Sequence, residues 1–186
     1  RGQGATWPNP AVGCVIVKNN RIVGRGWTQS TGRPHAETVA LAQAGEQARG
    51  ADVYVTLEPC AHHGNTPPCA QALIDAGVGR VVMAIPDSDP RVDGLGAKML
   101  RDAGITVETG LLGDQAFADH DGFLRRTVTG RPMVTLKMAS SFDGRVATGT
   151  GESQWITDTP ARRVVHAMRA RHDAVMVGGG TARHDD

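Results

Sequence analysis

Apolar residues fill positions 11–17, Ala-Val-Gly-Cys-Val-Ile-Val, and a second short run covers 22–27. Between them Lys18-Asn19-Asn20-Arg21 offers turn chemistry, so the pair predicts a β-hairpin. Over 36–48 the period changes: Val39, Ala40, Leu41 and Ala44 recur at helical spacing, and Gly50 follows as a stop signal. A strand is predicted at 52–57. The same alternation continues with a helix over 69–76, a strand over 80–85, a helix over 97–103, a strand over 105–108 and a helix over 114–126.

Strands alternating with helices of about ten residues predict a three-layer α/β sandwich with a mixed sheet, opened by the antiparallel hairpin. Thr129-Gly130-Arg131-Pro132 breaks this rhythm, and a new strand is predicted immediately after it, over 133–138. The chain therefore divides into a domain over 1–129 and a second segment over 130–186. In that segment Thr157-Asp158-Thr159-Pro160 is a helix start with a capping side chain and an early proline, leading into a helix over 161–171 and a strand over 173–177. The chain starts without Met and stops after an apolar stretch and a glycine run, as a fragment of a longer protein would.

Composition narrows the class. A chain of 186 residues, 40% hydrophobic and 21% charged, can bury a real core in one domain or somewhat more. Its formal net charge of +1, with no long run of either sign, argues against nucleic acid as a partner. No apolar stretch is long enough to span a bilayer and no signal-peptide pattern is present, so the cytoplasm is the expected compartment. Three cysteines cannot all pair, and a Cys near a His-containing motif points to metal or catalysis before disulfide.

The chemistry concentrates in two places. Pro34-His35-Ala36-Glu37 opens one helix; Pro59-Cys60 is followed after eight residues by Cys69, which opens another. Together they offer one imidazole and two thiolates, a three-ligand Zn2+ set that leaves the fourth tetrahedral position open for water, as a catalytic site requires. Helix N-termini favour thiolate over thiol there. Because two thiolates cancel the formal charge of the ion, a neighbouring general base gains importance, and Glu37 is placed to be that base. Two residues on from a ligand, it cannot share the ligand's direction. Cys14, inside an apolar strand, reads as core. The joint pattern H-x-E, then P-C and a second Cys at a helix start, is the signature of a zinc deaminase.

PNPAVGCVIV, GRPHAE and VTLEPCAHHGNTPPC resemble the deaminase domain of the bifunctional riboflavin-biosynthesis deaminase/reductase family. Other cytidine and tRNA adenosine deaminases usually separate the two cysteines by two residues, and the longer AHHGNTPP insert discriminates this family. Downstream, VTLKMASSFDGRVA, TGESQWIT and VGGGTARHDD look like the start of its NADPH-dependent reductase. The resemblance implies a cytidine-deaminase-like fold followed by the start of a dihydrofolate-reductase-like domain. It implies deamination of 2,5-diamino-6-ribosylamino-4(3H)-pyrimidinone 5′-phosphate, then NADPH-dependent reduction of the ribosyl chain. It also implies a small phosphorylated substrate, no nucleic acid or membrane, and a homodimer or homotetramer.

Carried over residue by residue, the resemblance puts Asn9 in the deaminase pocket and His62 near the substrate. As a residue between two prolines, Asn9 reads equally well as a turn former. Ala139, Trp155, Thr181 and Asp185 fall on NADP contacts, Ser153 and Arg169 on substrate contacts, and Lys137 near the ribose. On residue chemistry alone, Arg169 reads equally as part of a solvated face with Arg162, Arg163 and Arg171, and Gly178-Gly179-Gly180 is a weak phosphate signal. Thr28 stands where many members have His, and Asn65 where many have Lys or Arg; Arg33 or another basic group would have to compensate. Two other classes fit less well. A nucleoside or free-base deaminase of cytosine or guanine type lacks the insert and the second segment. A nucleic-acid-editing or zinc-stabilised binding module needs stacking aromatics, which make up only 4% of the chain.

Overall fold

Lys18 faces Arg21 across Asn19 and Asn20, whose φ angles of 49° and 59° make the two-residue turn between β1 (Gly13–Lys18) and β2 (Arg21–Trp27). Asparagine tolerates this left-handed backbone, and such a turn matches the twist of an antiparallel pair. The computed structural model describes residues 1–64, 67–89 and 93–184. It separates into two compact units, Arg1–Met133 and Val134–Asp186.

The first unit is built on a five-stranded mixed sheet in the order β2-β1-β3-β4-β5, where β3 is Asp52–Val55, β4 Arg80–Met83 and β5 Thr106–Thr109. β1 pairs antiparallel with β2 and β3, while β3, β4 and β5 run parallel. Cys14, Ile16, Val53 and Val55 alternate with half-buried neighbours, the period expected of a strand with one core face. β4 buries Val81, Val82 and Met83 in succession, as a parallel strand covered on both faces must. Ile16, Leu73 and Leu100 are fully buried, each worth about 1.5–3 kcal/mol of hydrophobic stabilisation.

Four helices complete the unit: α1 (Ala36–Ala44), α2 (Cys69–Asp75), α3 (Leu95–Asp102) and α4 (Gly113–Thr129). The helix predicted over 36–48 stops early as α-helix because Gly45 takes φ 54° and its N–H caps Leu41; a 3-10 turn covers Gly45–Ala48. α4 ends where Gly130, at φ 70°, donates its N–H to Arg126 O at 2.8 Å, a left-handed cap. α1 lies on the Cys14/Ile16 face. Its backbone reaches β2 where that strand carries glycine: a Cβ on Gly24 would stand 2.3 Å from Ala40 O, and one on Gly26 2.0 Å from Ala36 O. On the opposite face, α4 sends buried His120 to Thr56, with Nε2 3.1 Å from Oγ1, while Thr56 Oγ1 also accepts the Gly13 N–H. Helices thus cover both faces, giving three layers.

In the second unit α5 (Thr159–Arg169) starts as its sequence predicts, with Asp158 Oδ1 accepting the Ala161 N–H at 3.0 Å. His172 ties its end to Met168 O and to Thr135 Oγ1. The strands expected over 133–138 and 173–177 are not formed. A strand exists through its ladder, and no residue among those described in this unit pairs with either segment. α6 (Gly179–His184) instead occupies the glycine run, which was not expected to be helical.

Burial holds the His120 pKa below its ordinary value of 6.5. The unfolded chain therefore binds this proton more readily than the folded one, and stability should fall as pH drops from about 6.5. The neighbouring Asp119 acts in the opposite direction and is the smaller influence. Thermal midpoints of wild type and His120→Gln are expected to converge between about pH 7.5 and pH 5.5, with wild type the more stable at the upper end. A gap that stays constant across that range would show that folding does not lower the His120 pKa.

Candidate active site

The strand register sets the site. Gly13, Trp27, Val55, Met83 and Thr109 lie at one end of the sheet, where β3 and β4 present their carboxyl ends, the usual binding edge of such sheets. From β3 the chain continues through Glu58 and Pro59 to Cys60; from β4 it continues to Asp87 and Asp89. α1 opens at this same end, with His35 as its N-cap in extended conformation and Glu37 in its first turn. Cys69 opens α2 and donates its backbone N–H to Cys60 Sγ at 3.3 Å.

His35 Nδ1 lies 3.7 Å from Cys60 Sγ and 3.3 Å from Cys69 Sγ, and the three donor atoms lie within 4.8 Å of one another. A tetrahedral zinc with Zn–S near 2.3 Å and Zn–N near 2.0–2.1 Å spaces its donors by roughly 3.5–3.8 Å, so the set fits that ion. The hydrogen bond shared with Cys69, with help from His35 and the Cys69 N–H, draws the Cys60 pKa down to about 4. Sharing that proton, and burial, push Cys69 upward. The Cys60 hydrogen bond and charge raise the His35 imidazole. Glu37 is buried at 3% exposure, and burial is the main cause that raises its carboxyl above the ordinary range. A buried carboxyl beside a metal-ligand set is placed both to take and to give a proton.

His35, Glu37 and Cys60 line a cavity of about 500 Å³, with Glu58, Asp87 and Asp89 on its wall and Phe123, Arg126 and Thr127 supplied by α4. Asn9 lines it too; its Nδ2 donates to Gly32 O at 2.8 Å, and a Cβ on Gly32 would stand 2.4 Å from that nitrogen. His62 is also on the wall, and its buried Nδ1 has no hydrogen-bond partner among the described residues. Thr28 is 2% exposed, with its Oγ1 accepting the Val12 N–H at 3.0 Å. Asn65 lies outside the described residues.

Sequence reasoning passed over Glu58. Its carboxylate accepts backbone N–H groups from Asp87 at 3.3 Å, Gly94 at 3.1 Å and Ala97 at 3.0 Å, which ties the wall and the start of α3 to the Pro59–Cys60 segment. A charged residue at an otherwise apolar strand exit was the available signal. Asp87, whose carboxyl is raised to about 6 mainly by burial, and Asp89 follow β4 and were findable from the same topological rule.

Residues of the second unit named above sit on separate segments. Lys137 and Ala139 are in the irregular stretch 131–140, exposed Ser153 is in a loop, and Arg169 and Thr181 are exposed on α5 and α6. Trp155 is 72% exposed beneath the Arg162 guanidinium, 4.4 Å from the ring centroid. Asp185 lies outside the described residues. No described residue of this unit beyond Met133 is buried, so they form no concave apolar wall of the kind a dinucleotide needs.

Residues 2–85 match the cytidine and deoxycytidylate deaminase zinc-binding region, and residues 132–186 match the RibD C-terminal domain. The chain is 55% identical over 186 residues to the riboflavin biosynthesis protein RibD of Haemophilus influenzae and 53% identical to that of Escherichia coli, covering 100% of this chain and 50% and 51% of theirs. It spans about half the length of the curated relatives it matches. A solved Acinetobacter baumannii RibD structure is 52% identical with TM-score 0.87, over 100% of this chain and 52% of that one. A Thermotoga maritima diaminohydroxyphosphoribosylaminopyrimidine deaminase/5-amino-6-(5-phosphoribosylamino)uracil reductase is 42% identical with TM-score 0.92, over 99% and 53%.

Gly26→Ala should force α1 off β2 and move His35 and Glu37 with it. A loss of roughly 1–3 kcal/mol in unfolding free energy is expected, together with less than stoichiometric zinc by elemental analysis. Gly13→Ala, whose Cβ would meet Thr56 Cγ2 at an ordinary 3.7 Å, should retain zinc. Full zinc in Gly26→Ala would show that the helix position tolerates the added carbon.

Proposed function

This chain belongs to the RibD family of riboflavin biosynthesis proteins, and from that premise we propose that its first unit is a zinc-dependent hydrolytic deaminase of 2,5-diamino-6-ribosylamino-4(3H)-pyrimidinone 5′-phosphate. The observation that carries the reading is the convergence of His35, Cys60 and Cys69 beside buried Glu37, in a cavity of about 500 Å³. Such a volume suits a nucleotide-sized ligand.

Zinc, held by His35, Cys60 and Cys69, supplies a Lewis acid that makes water a competent nucleophile near neutral pH. The chain's own chemistry belongs to Glu37. It takes the proton of the attacking water and delivers it to a ring nitrogen, so that a C–O bond forms at C2. It then carries the proton of the added hydroxyl to the 2-amino group, the C–N bond breaks as C2 becomes a carbonyl, and ammonia leaves. Low exposure of Glu37 keeps the carboxyl from being levelled by bulk water.

Residues 130–186 begin the reductase that, in the full-length protein, turns the ribosyl chain into ribityl with NADPH. Ala139, Trp155, Thr181 and Asp185 contact the cofactor there, and Ser153 and Arg169 contact the substrate; the planar fork of Arg169 suits a phosphate. The described residues of the second unit assemble no enclosed NADPH site. The protein works in the cytoplasm on a small molecule, as a dimer or tetramer; no helix among the described residues is long and apolar enough to cross a membrane.

Ammonia release from the diaminopyrimidine phosphate, measured beside cytidine and guanine on zinc-loaded protein, tests the assignment. Turnover is expected with the phosphate alone, and turnover of cytidine or guanine without it would overturn the reading. Glu37→Gln should keep stoichiometric zinc and lose roughly 10²–10⁴-fold or more in kcat. Zinc loss in that variant would make Glu37 a ligand instead of a proton carrier.

A further inference from the structure

Two glutamates line the cavity, and their surroundings differ. Glu37 stands in the first turn of α1, whereas Glu58 follows β3, two residues before Cys60, and is 3% exposed. Among the described residues the hydrogen-bond partners of the Glu58 carboxylate are three backbone donors. Oε2 accepts the N–H of Asp87 at 3.3 Å and that of Gly94 at 3.1 Å, and Oε1 accepts that of Ala97 at 3.0 Å. With both oxygens engaged in this way, the group is poorly placed to carry a proton and well placed to hold backbone.

The three donors mark out one piece of the wall. Asp87 begins it after β4, Gly94 ends it as the N-cap of α3, and Ala97 lies in the first turn of that helix. A single oxygen thus fastens both ends of the segment that brings Asp87 and Asp89 to the cavity. Within the segment, Asp87 Oδ1 accepts the Asp89 N–H at 2.9 Å, and Asp89 O accepts the Asp93 N–H at 3.0 Å. Gly94 has no side chain with which to cap α3, and Glu58 supplies that acceptor from another part of the chain. The metal ligands have separate supports. Cys60 O accepts the Ala70 N–H at 3.2 Å, Cys60 Sγ accepts the Cys69 N–H at 3.3 Å, and the backbone N–H of Glu58 donates to Ile85 O at 3.1 Å.

We propose that Glu58 is a positioning residue for the deamination: its carboxylate holds the wall that carries Asp87 and Asp89 at a fixed distance from the Cys60 end of the cavity, and substrate affinity depends on that distance. This rests on the deaminase reading given above. Glu58 moves no proton and acts only through the wall. Substitution by Gln keeps the shape but turns one acceptor oxygen into an NH2 group, which must then face a backbone N–H. Either the Ala97 bond or the bonds to Asp87 and Gly94 are lost, and a buried donor is left unsatisfied. The wall then shifts while Glu37 and the metal ligands keep their own supports. Binding lost equally from ground state and transition state raises KM and leaves kcat unchanged.

Steady-state ammonia release by zinc-loaded wild type, Glu58→Gln and Glu58→Asp tests this, together with zinc content and amide hydrogen exchange read by NMR. Glu58→Gln should keep stoichiometric zinc and raise KM for the pyrimidine phosphate roughly tenfold, with kcat per bound zinc within about threefold of wild type. Exchange at the amides of Asp87, Gly94 and Ala97 should quicken in the same variant. Glu58→Asp, which keeps two acceptor oxygens on a shorter stem, should fall between the two in both measurements. A merely structural role would lower zinc content or the folded fraction and leave KM unchanged, and that result overturns the proposal. A raised KM with unchanged exchange at the three amides also overturns it, since Glu58 would then touch the substrate itself. So does a kcat loss as large as that of Glu37→Gln, which would make Glu58 a proton carrier. Should circular dichroism show that Glu58→Gln has failed to fold, Glu58→Asp carries the same comparison. If wild type releases ammonia from cytidine or guanine and not from the pyrimidine phosphate, the substrate reading fails, and the KM comparison made with that substrate still decides the role of Glu58.

Discussion

α1 lies directly on the backbone of β2, with the carbonyls of Ala36 and Ala40 in the space that a Cβ on Gly26 or Gly24 would fill. The rest of the site depends on this contact, because α1 carries His35 at its N-cap and Glu37 in its first turn, facing the cysteine loop. Helix-to-sheet distance is normally set by side-chain layers of irregular thickness. Here two backbones set it, which suits a metal site whose ligand positions tolerate errors of only about half an ångström. The cysteine side is fixed in a similar way: Gly96 in α3 would place a Cβ 2.0 Å from Pro59 O, and Glu58 fastens the adjoining loop through three backbone N–H groups.

Buried charge is the cost of this arrangement, and each charged group in the cavity is compensated differently. Glu58 accepts three backbone donors, which offsets the loss of its hydration. The hydrogen bond between Cys60 and Cys69 lowers the pKa of the first and raises that of the second. Glu37 is raised mainly by burial, so the cavity favours its protonated form more than water would. The same low-exposure setting that strains these groups gives them chemical use, since proton affinities separate most where water is scarce.

Much of the first unit was legible because local patterns and tertiary demands agree there. The Asn19-Asn20 turn, the alternation in β1 and the stop after α4 at Gly130 are local, and each appears as its residues dictate. The failures follow from non-local requirements. Residues 133–138 are apolar and read as a strand, yet without a pairing partner their backbone forms no ladder. Asp87, Asp89 and Arg126 carried no motif, and Glu58, though inside the VTLEPC segment, carried no sign of its role, because their importance arises from where the sheet ends and α4 crosses it.

The sequence by itself determined the donor chemistry: one imidazole, two thiolates and a carboxyl two residues from the imidazole, with the eight-residue spacing between the cysteines marking the family. Residue type and spacing suffice there, because ligand identity and helix N-termini are local properties. Only the tertiary structure decided that these groups share one cavity with Arg33 and Arg126, and that Gly24 and Gly26 are contact surfaces and not gaps. Bringing residues 33 and 126 to one wall is a matter of long-range packing, and packing depends on the volume of every neighbour at once.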